Sequence, residues 1–125
     1  MKLASFNIND INRRLTNLLD WLRQAESDIV CLQELKAPDV VFPAEAIREA
    51  GFRAVWRGEK RWNGVAILAR WTPALTRVEL PGDATDKQSR YLEAAVNGLL
   101  VASIYAPNGK SPAPRRAGRE APPKK

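Results

Sequence analysis

The stretch SDIVCLQELKA, residues 27–37, decides how this chain folds. In it an acid and four apolar residues are followed by Gln33 and Glu34, a pattern that predicts a short buried strand over 28–33 ending in a carboxylate. A lone charge at a strand end is usually solvated. Whether Glu34 has a functional role therefore has to be judged from the rest of the chain.

The residues before this stretch predict a strand and then a helix. KLASFNI, at 2–8, alternates in the manner of a strand, and residues 9–25 repeat their apolar positions with the helical period. Strand, helix and strand in this order predict a βαβ opening. Three residues could cap the helix at its start: Asn9, Asp10 and Asn12.

The rest of the chain is rich in predicted strands. Asn97-Gly98, between two apolar runs, predicts a tight hairpin. The strands alternate apolar residues on both faces, as in a sheet that is buried on both sides. The predicted class is α/β: about seven strands and two helices, with one mixed or mostly antiparallel sheet flanked by helices. Beyond residue 40 the predicted elements are a short helix at 43–51 and strands at 52–58, 64–70, 74–80, 91–97 and 99–106.

Composition bounds the chemistry. The chain has 125 residues, enough for one domain, and 45% of them are apolar. It contains no histidine, which excludes a histidine base, the usual zinc ligand and serine–histidine nucleophile pairs. The single cysteine, Cys31, and the absence of a signal peptide or an apolar membrane span lead us to expect a cytoplasmic protein with no membrane partner.

The positive charge is concentrated at the carboxyl end. Residues 110–125 contain six Lys/Arg and one Glu, a net charge of +5, whereas residues 1–109 contain fourteen Lys/Arg and thirteen Asp/Glu, a net charge of +1. The segment 110–125 is rich in proline and has no aromatic or branched aliphatic residue, which predicts disorder. We therefore expect a folded domain over 1–109 and a disordered basic tail.

Polar residues follow several of the predicted strands. Asn7 and Asn9 lie at the end of the first strand, Glu34 at the end of the second, and Tyr105 and Asn108 at the end of the last. In layered α/β folds ligands bind outside strand ends, where the loops converge. Amide and carboxylate oxygens are ligands that Mg²⁺ accepts, so these residues indicate a candidate site for a hard metal ion and a phosphate.

Four segments in this order, SFNIND, LQELK, WNGVAIL and IYAPNG, resemble the exonuclease III branch of the endonuclease/exonuclease/phosphatase superfamily. The resemblance covers residues 1–109. It implies a DNA-repair nuclease that depends on Mg²⁺, with Mn²⁺ as a possible substitute, and that acts on duplex DNA at abasic sites and 3′ ends. It also implies a four-layer α/β sandwich, of which this chain encodes about half.

The same resemblance implies roles for individual residues. Glu34 and Asn7 match metal-binding positions, and Tyr105 matches the tyrosine that hydrogen-bonds the scissile phosphate. Four further residues match positions near the DNA or the phosphate: Asn9, Lys36, Arg90 and Asn108.

The sequence also departs from the family. The Gly-Asp-x-Asn motif and the Asp-His pair of the family are absent, so we interpret the chain as a truncated nuclease domain with impaired catalysis. A non-catalytic DNA-binding remnant, a half-fold that pairs with another chain, and a phosphodiesterase for another phosphate ester are the alternatives. One uncovered sheet face would also allow self-association.

Overall fold

A computed structural model describes residues 1–59, 63–78 and 90–105. The α/β class is confirmed, and each predicted strand is present within its predicted range. Asn108 and the predicted tail at 110–125 lie outside the described residues. The elements in chain order are β1 (Leu3–Asn7), α1 (Leu15–Gln24), β2 (Ile29–Gln33), α2 (Ala44–Glu49), β3 (Arg53–Arg57), β4 (Val65–Ala69), β5 (Ala74–Arg77), β6 (Tyr91–Val96) and β7 (Leu99–Ile104).

The predicted βαβ opening is confirmed. Strands β1 and β2 are parallel neighbours, with Leu3 opposite Ile29 and Asn7 opposite Gln33, and α1 connects them. Strand β4 is antiparallel to both β2 and β3, so the four-stranded sheet has the order β1-β2-β4-β3. The carboxyl ends of β1 and β2 therefore lie side by side at one end of this sheet.

The strands divide between two sheets, where one was expected. Strands β5, β6 and β7 form a separate antiparallel sheet in that order. Asn97 and Gly98 make the predicted hairpin turn between β6 and β7, with φ values of +48° and +87°. Positive φ at both turn positions matches the right-handed twist of the paired strands, which is why Asn-Gly is favoured there.

The three-stranded sheet packs face to face on the four-stranded sheet. The prediction of burial on both faces is confirmed for β2 and β4. It is wrong for β7, whose outer face is exposed, and alternation could not identify what covers each face. The face that we expected to be open to self-association is covered by β6 and β7. The core between the sheets contains Ile29, Cys31, Val65, Ile67 and Ala69 on one side and Leu92, Ala94, Val96 and Val101 on the other.

The helices cover the opposite face of the four-stranded sheet. Residues Leu18 and Leu22 of α1 and Ile47 of α2 are fully buried there. They pack with apolar residues of the strands and loops, including Phe6, Val30, Leu32, Phe52 and Leu68. The layers are thus helices, four strands and three strands. Neither α-helix of the described part is long and apolar enough to cross a bilayer.

The first helix begins later than predicted. Residues 9–14 form turns, and α1 starts at Leu15. The backbone N–H groups of Asp10 and Ile11 donate to the carbonyl oxygens of Glu34 and Leu35, at 2.9 and 3.0 Å. These bonds tie residues 10 and 11 to the loop after β2. Arg14 occupies the N-cap position of α1 without a side-chain capping bond, and of the predicted caps Asp10 accepts the N–H of Arg13 at 3.3 Å in the turn before the helix.

Candidate functional site

The candidate site lies at the end of the sandwich where three strands finish. Asn7 is the last residue of β1, Glu34 follows β2, and Tyr105 follows β7. Because β1 and β2 are parallel and in register, Asn7 lies beside Gln33 and one residue from Glu34. Tyr105 comes from the other sheet and packs against the core between the sheets. Residues from both sheets therefore meet at this end.

Glu34 and Tyr105 are in direct contact. The Tyr105 hydroxyl donates a hydrogen bond to Oε2 of Glu34 at 2.5 Å. Bonds of an O–H group to a carboxylate are among the short and strong hydrogen bonds of proteins. The other carboxylate oxygen, Oε1, lies 4.0 Å from Nζ of Lys36, and 20% of the Glu34 side chain is exposed. One carboxylate is thus held between a phenol and an ammonium group.

This arrangement keeps Tyr105 protonated. Burial of the phenol, the hydrogen bond to Glu34 and the negative charge of that carboxylate raise the pKa of Tyr105 to about 12. Each of these effects disfavours the tyrosinate anion. At neutral pH Tyr105 is therefore a hydrogen-bond donor and not a base.

The raised pKa of Tyr105 predicts a loss of stability at high pH. A tyrosine in the unfolded chain ionises near 10, whereas Tyr105 in the folded chain ionises near 12. Its contribution to stability is fully present below pH 10 and is lost as the pH rises toward 12, because the unfolded state releases the proton first. We expect denaturant unfolding to become easier in this window and Tyr105→Phe to weaken the dependence. An equally steep dependence in Tyr105→Phe would contradict the assignment.

Two neighbouring loops, the one after β1 and the one before β4, hold the backbone around Glu34. Leu35 and Lys36 donate their N–H groups to the carbonyl oxygens of Gly64 and Asn63, each at 3.1 Å. Glu34 and Lys36 adopt left-handed φ values of +59° and +52°, which side-chain-bearing residues rarely adopt. Such conformations persist only where surrounding contacts enforce them, and they cluster at functional sites. The Glu34 loop is therefore a constrained segment.

Gly64 allows this loop to pack closely. Its φ is +95°, and an added Cβ would lie 2.8 Å from Cβ of Leu35. We expect Gly64→Ala to lower the free energy of unfolding by about 2 kcal/mol or more, through the left-handed backbone and the clash together. Gly98→Ala is the matched control, because its φ is +87° and an added Cβ would meet no atom within 4 Å. Equal losses of unfolding free energy in Gly64→Ala and Gly98→Ala, measured by denaturant unfolding, would show that the clash with Leu35 does not contribute to the destabilisation.

A buried polar network lies beneath Glu34, and sequence reasoning missed it. Nε2 of Gln33 donates to the hydroxyl oxygens of Ser5 and Ser103, each at 3.1 Å. The Ser103 hydroxyl donates to the carbonyl oxygen of Leu32 at 3.0 Å. The signal available in the sequence was a polar residue in each of two apolar strands: Gln33 at the end of β2 and Ser103 within β7. The network joins β1, β2 and β7.

The other predicted site residues lie around this centre. Arg90 is half-buried, and its carbonyl oxygen accepts the N–H group of Tyr105 at 2.9 Å. Asn7 is exposed at the end of β1, and Asn9 follows with a left-handed φ of +50°. The structure thus brings Glu34, Lys36 and Tyr105 together, and places the other three on the adjoining loops and strand ends.

The residues present fit a metal site with few protein ligands. Within the described ranges, no three His, Cys, Asp or Glu residues are grouped so that they could hold a metal ion. Glu34 offers carboxylate oxygens, and Asn7 offers an amide oxygen on the adjacent strand. Mg²⁺ commonly binds through one or two carboxylates and keeps several waters. The donor set is therefore suited to a hard cation that retains most of its water.

Comparison with known proteins gives consistent matches. The sequence model of the Endonuclease/Exonuclease/phosphatase family matches residues 4–124. Exodeoxyribonuclease III of Haemophilus influenzae is 36% identical over 115 residues, which are 89% of this chain and 43% of that protein. A 3′ phosphatase from Neisseria, solved with a product DNA hairpin, superposes with a TM-score of 0.82 and 39% identity, covering 90% of this chain and 45% of that one.

An AP endonuclease from Archaeoglobus fulgidus is also similar in structure. Its TM-score is 0.79 at 33% identity, and the match covers 87% of this chain and 42% of that chain. This chain therefore spans less than half the length of the relatives that it matches.

Proposed function

Because this chain belongs to the endonuclease/exonuclease/phosphatase family, we propose that it carries part of the site of a DNA-repair nuclease of the exodeoxyribonuclease III type. The proposed reaction is Mg²⁺-dependent hydrolysis of a DNA phosphodiester at an abasic site or a 3′ end. The observation that carries the proposal is the contact of Tyr105 with Glu34 at 2.5 Å, where the strand ends of both sheets meet.

Each residue of the site has a proposed role. Glu34 and Asn7 hold the metal ion, which when bound supplies positive charge to the scissile phosphate. Tyr105, protonated at neutral pH, turns its single hydroxyl proton from Glu34 to a phosphate oxygen when the substrate binds. Lys36 adds positive charge beside the same carboxylate and faces the DNA backbone in this proposal. Asn9, Arg90 and Asn108 contribute further contacts to DNA.

We propose that catalysis by the 125-residue chain is impaired. The sequence contains neither histidine nor a Gly-Asp-x-Asn motif. Tyr105 keeps its proton near pH 7, because its pKa is raised to about 12, and therefore cannot act as a base there. With Glu34 assigned to the metal ion, none of the other candidate residues within the described ranges is left to accept a proton from the attacking water. The loss of general-base catalysis typically lowers a rate by ~10²–10⁴-fold.

The test is cleavage of an abasic-site duplex by the purified chain. Slow cleavage with Mg²⁺ that stops with EDTA, and that Glu34→Gln eliminates, is the expected result. An intact duplex of the same sequence is the substrate control. Cleavage that survives EDTA or Glu34→Gln would contradict the proposed site and would indicate a contaminating nuclease.

One alternative is a DNA-binding protein without catalysis. It is favoured by the location of the charge, because residues 110–125 carry five of the six net positive charges. Binding would then be independent of sequence and strongly weakened by salt. In this alternative, the unchanged chain binds DNA and does not cleave it. Replacing the six Lys/Arg of this segment by glutamine should make the binding affinity less dependent on salt concentration.

A second alternative is a half-fold that pairs with another chain. It is favoured by exposed apolar side chains on the side of β7 turned away from the core, where Leu100 and Ile104 are 66% and 53% exposed. Strands with exposed apolar residues are common sites of association. Size-exclusion chromatography of the full chain distinguishes a monomer from such an assembly.

A further inference from the structure

The strongest unexplained feature is the buried amide of Gln33. Its residue is only 9% exposed, and it immediately precedes Glu34. A buried amide without partners is costly, so its hydrogen bonds define what the position requires. Both N–H groups of the amide nitrogen are used, one toward Ser5 on β1 and one toward Ser103 on β7.

The orientation of this amide follows from Ser103. That residue is 1% exposed, and its hydroxyl gives its single proton to the carbonyl oxygen of Leu32. In its bond with Gln33, the Ser103 oxygen must therefore be the acceptor. The Gln33 amide must then present its nitrogen, and not its oxygen, to Ser103. The result is a closed link: the Gln33 side chain binds Ser103, and Ser103 binds the backbone of β2 one residue before Gln33.

The link lies next to the site in both strands. Gln33 is adjacent to Glu34, and Ser103 lies in β7 two residues before Tyr105, which follows that strand. Elsewhere the core between the two sheets is mainly apolar, and apolar contact has no preferred direction. Two further polar contacts join the sheets: Sγ of Cys31 lies 3.8 Å from the carbonyl oxygen of Ala102, and the Arg57 guanidinium donates to the carbonyl oxygen of Val78. Hydrogen bonds do have preferred distances and angles. The polar link can therefore help to fix how far one sheet is displaced along the other at the end where the site lies.

We propose that Gln33 and Ser103 are positioning residues that set the register between the sheets so that Tyr105 reaches Glu34. Neither residue touches the proposed substrate, and both act through the Tyr105–Glu34 contact. The inference rests on the proposed function only in one respect, namely that the Tyr105–Glu34 contact serves a nuclease site. Its test requires neither metal nor DNA, so a failure of the proposed nuclease activity would leave the result of this test unaffected.

The experiment is ¹³C NMR of the full chain labelled at the Cζ carbon of tyrosine, which reports hydrogen bonding of the hydroxyl. The chain has two tyrosines, and Tyr105→Phe assigns their resonances. Tyr91 is an internal control, because its hydroxyl donates to Glu93 at 2.7 Å on the face of β6 opposite to the core between the sheets. In Gln33→Met, which keeps an unbranched side chain without the amide, we expect the Tyr105 resonance to move toward that of free tyrosine while Tyr91 is unchanged.

Three further variants separate positioning from general packing. Ser103→Ala should move the Tyr105 resonance, whereas Ser103→Thr, which keeps the hydroxyl, should not. Val101→Ala removes buried apolar atoms from the same side of β7 without touching the link, and should leave Tyr105 in place.

The outcomes are decisive in each case. An unmoved Tyr105 resonance in folded Gln33→Met overturns the proposal, as does an equal displacement in Val101→Ala. If the Tyr91 resonance shows that Gln33→Met is unfolded, the serine pair decides. Different Tyr105 positions in Ser103→Ala and Ser103→Thr support the proposal, and identical positions overturn it.

Discussion

Replacing Glu34 by glutamine is expected to abolish binding of Mn²⁺ at the strand ends of the sandwich. Glu34 is the single carboxylate among the proposed metal ligands, and Asn7 contributes only a neutral amide oxygen. Hard divalent cations gain most of their affinity from anionic oxygens. Glutamine keeps the size of the side chain and an oxygen that can accept the bond from Tyr105, so the change removes charge and preserves packing.

Binding by the unchanged chain should itself be weak. Tyr105 donates to one oxygen of the Glu34 carboxylate, and Lys36 lies 4.0 Å from the other. A metal ion must compete with both groups for the same oxygens. Paramagnetic broadening of the Asn7 and Tyr105 NMR signals during a Mn²⁺ titration measures the binding at low occupancy.

Glu26→Gln is the control for this titration. Glu26 is an exposed carboxylate paired with Lys2 at 2.9 Å, before the start of β2 and away from the site. We expect its replacement to leave the broadening of Asn7 and Tyr105 intact. Broadening that persists in Glu34→Gln would remove Glu34 from the set of metal ligands and with it the central element of the proposed site.

Local patterns predicted the elements because local physics fixes them. The strand at 28–33 followed from its apolar run, and the turn at Asn97-Gly98 followed from the positive φ values that this pair tolerates. The late start of α1 was not predictable in the same way. The N–H groups of Asp10 and Ile11 pair with the loop after β2, and this partner is more than twenty residues away in the sequence.

The candidate site shows the same limit. The position of Glu34 at a strand end was visible in the sequence, whereas its contact with Tyr105 depends on how two sheets stack. The alternation of apolar residues along a strand predicts that a face is buried, but it does not predict which element covers that face. The resemblance supplied the proposed roles of single residues. The amide of Gln33 escaped notice because only tertiary structure reveals its partners on β1 and β7.

Leu92→Ala is expected to cause a large loss of stability. Leu92 is fully buried on the inner face of β6, in the core shared by both sheets. Truncating a buried leucine costs about 2–5 kcal/mol through lost burial and the cavity that remains. Because small domains have only about 5–15 kcal/mol of stability, this one change would remove a substantial fraction of it. Denaturant unfolding monitored by tryptophan fluorescence measures the difference.

Leu100→Ala is the matched control, since it makes the same chemical change in the same sheet. Leu100 is 66% exposed and faces away from the core, so we expect its truncation to change stability by no more than about 0.5 kcal/mol. Similar small effects at Leu92 and Leu100 would mean that the two sheets do not pack as described. The contact of Tyr105 with Glu34 would then lose its basis, because β7 reaches the site only through that packing. A large effect at Leu92 alone ties the integrity of the candidate site to the core between the sheets.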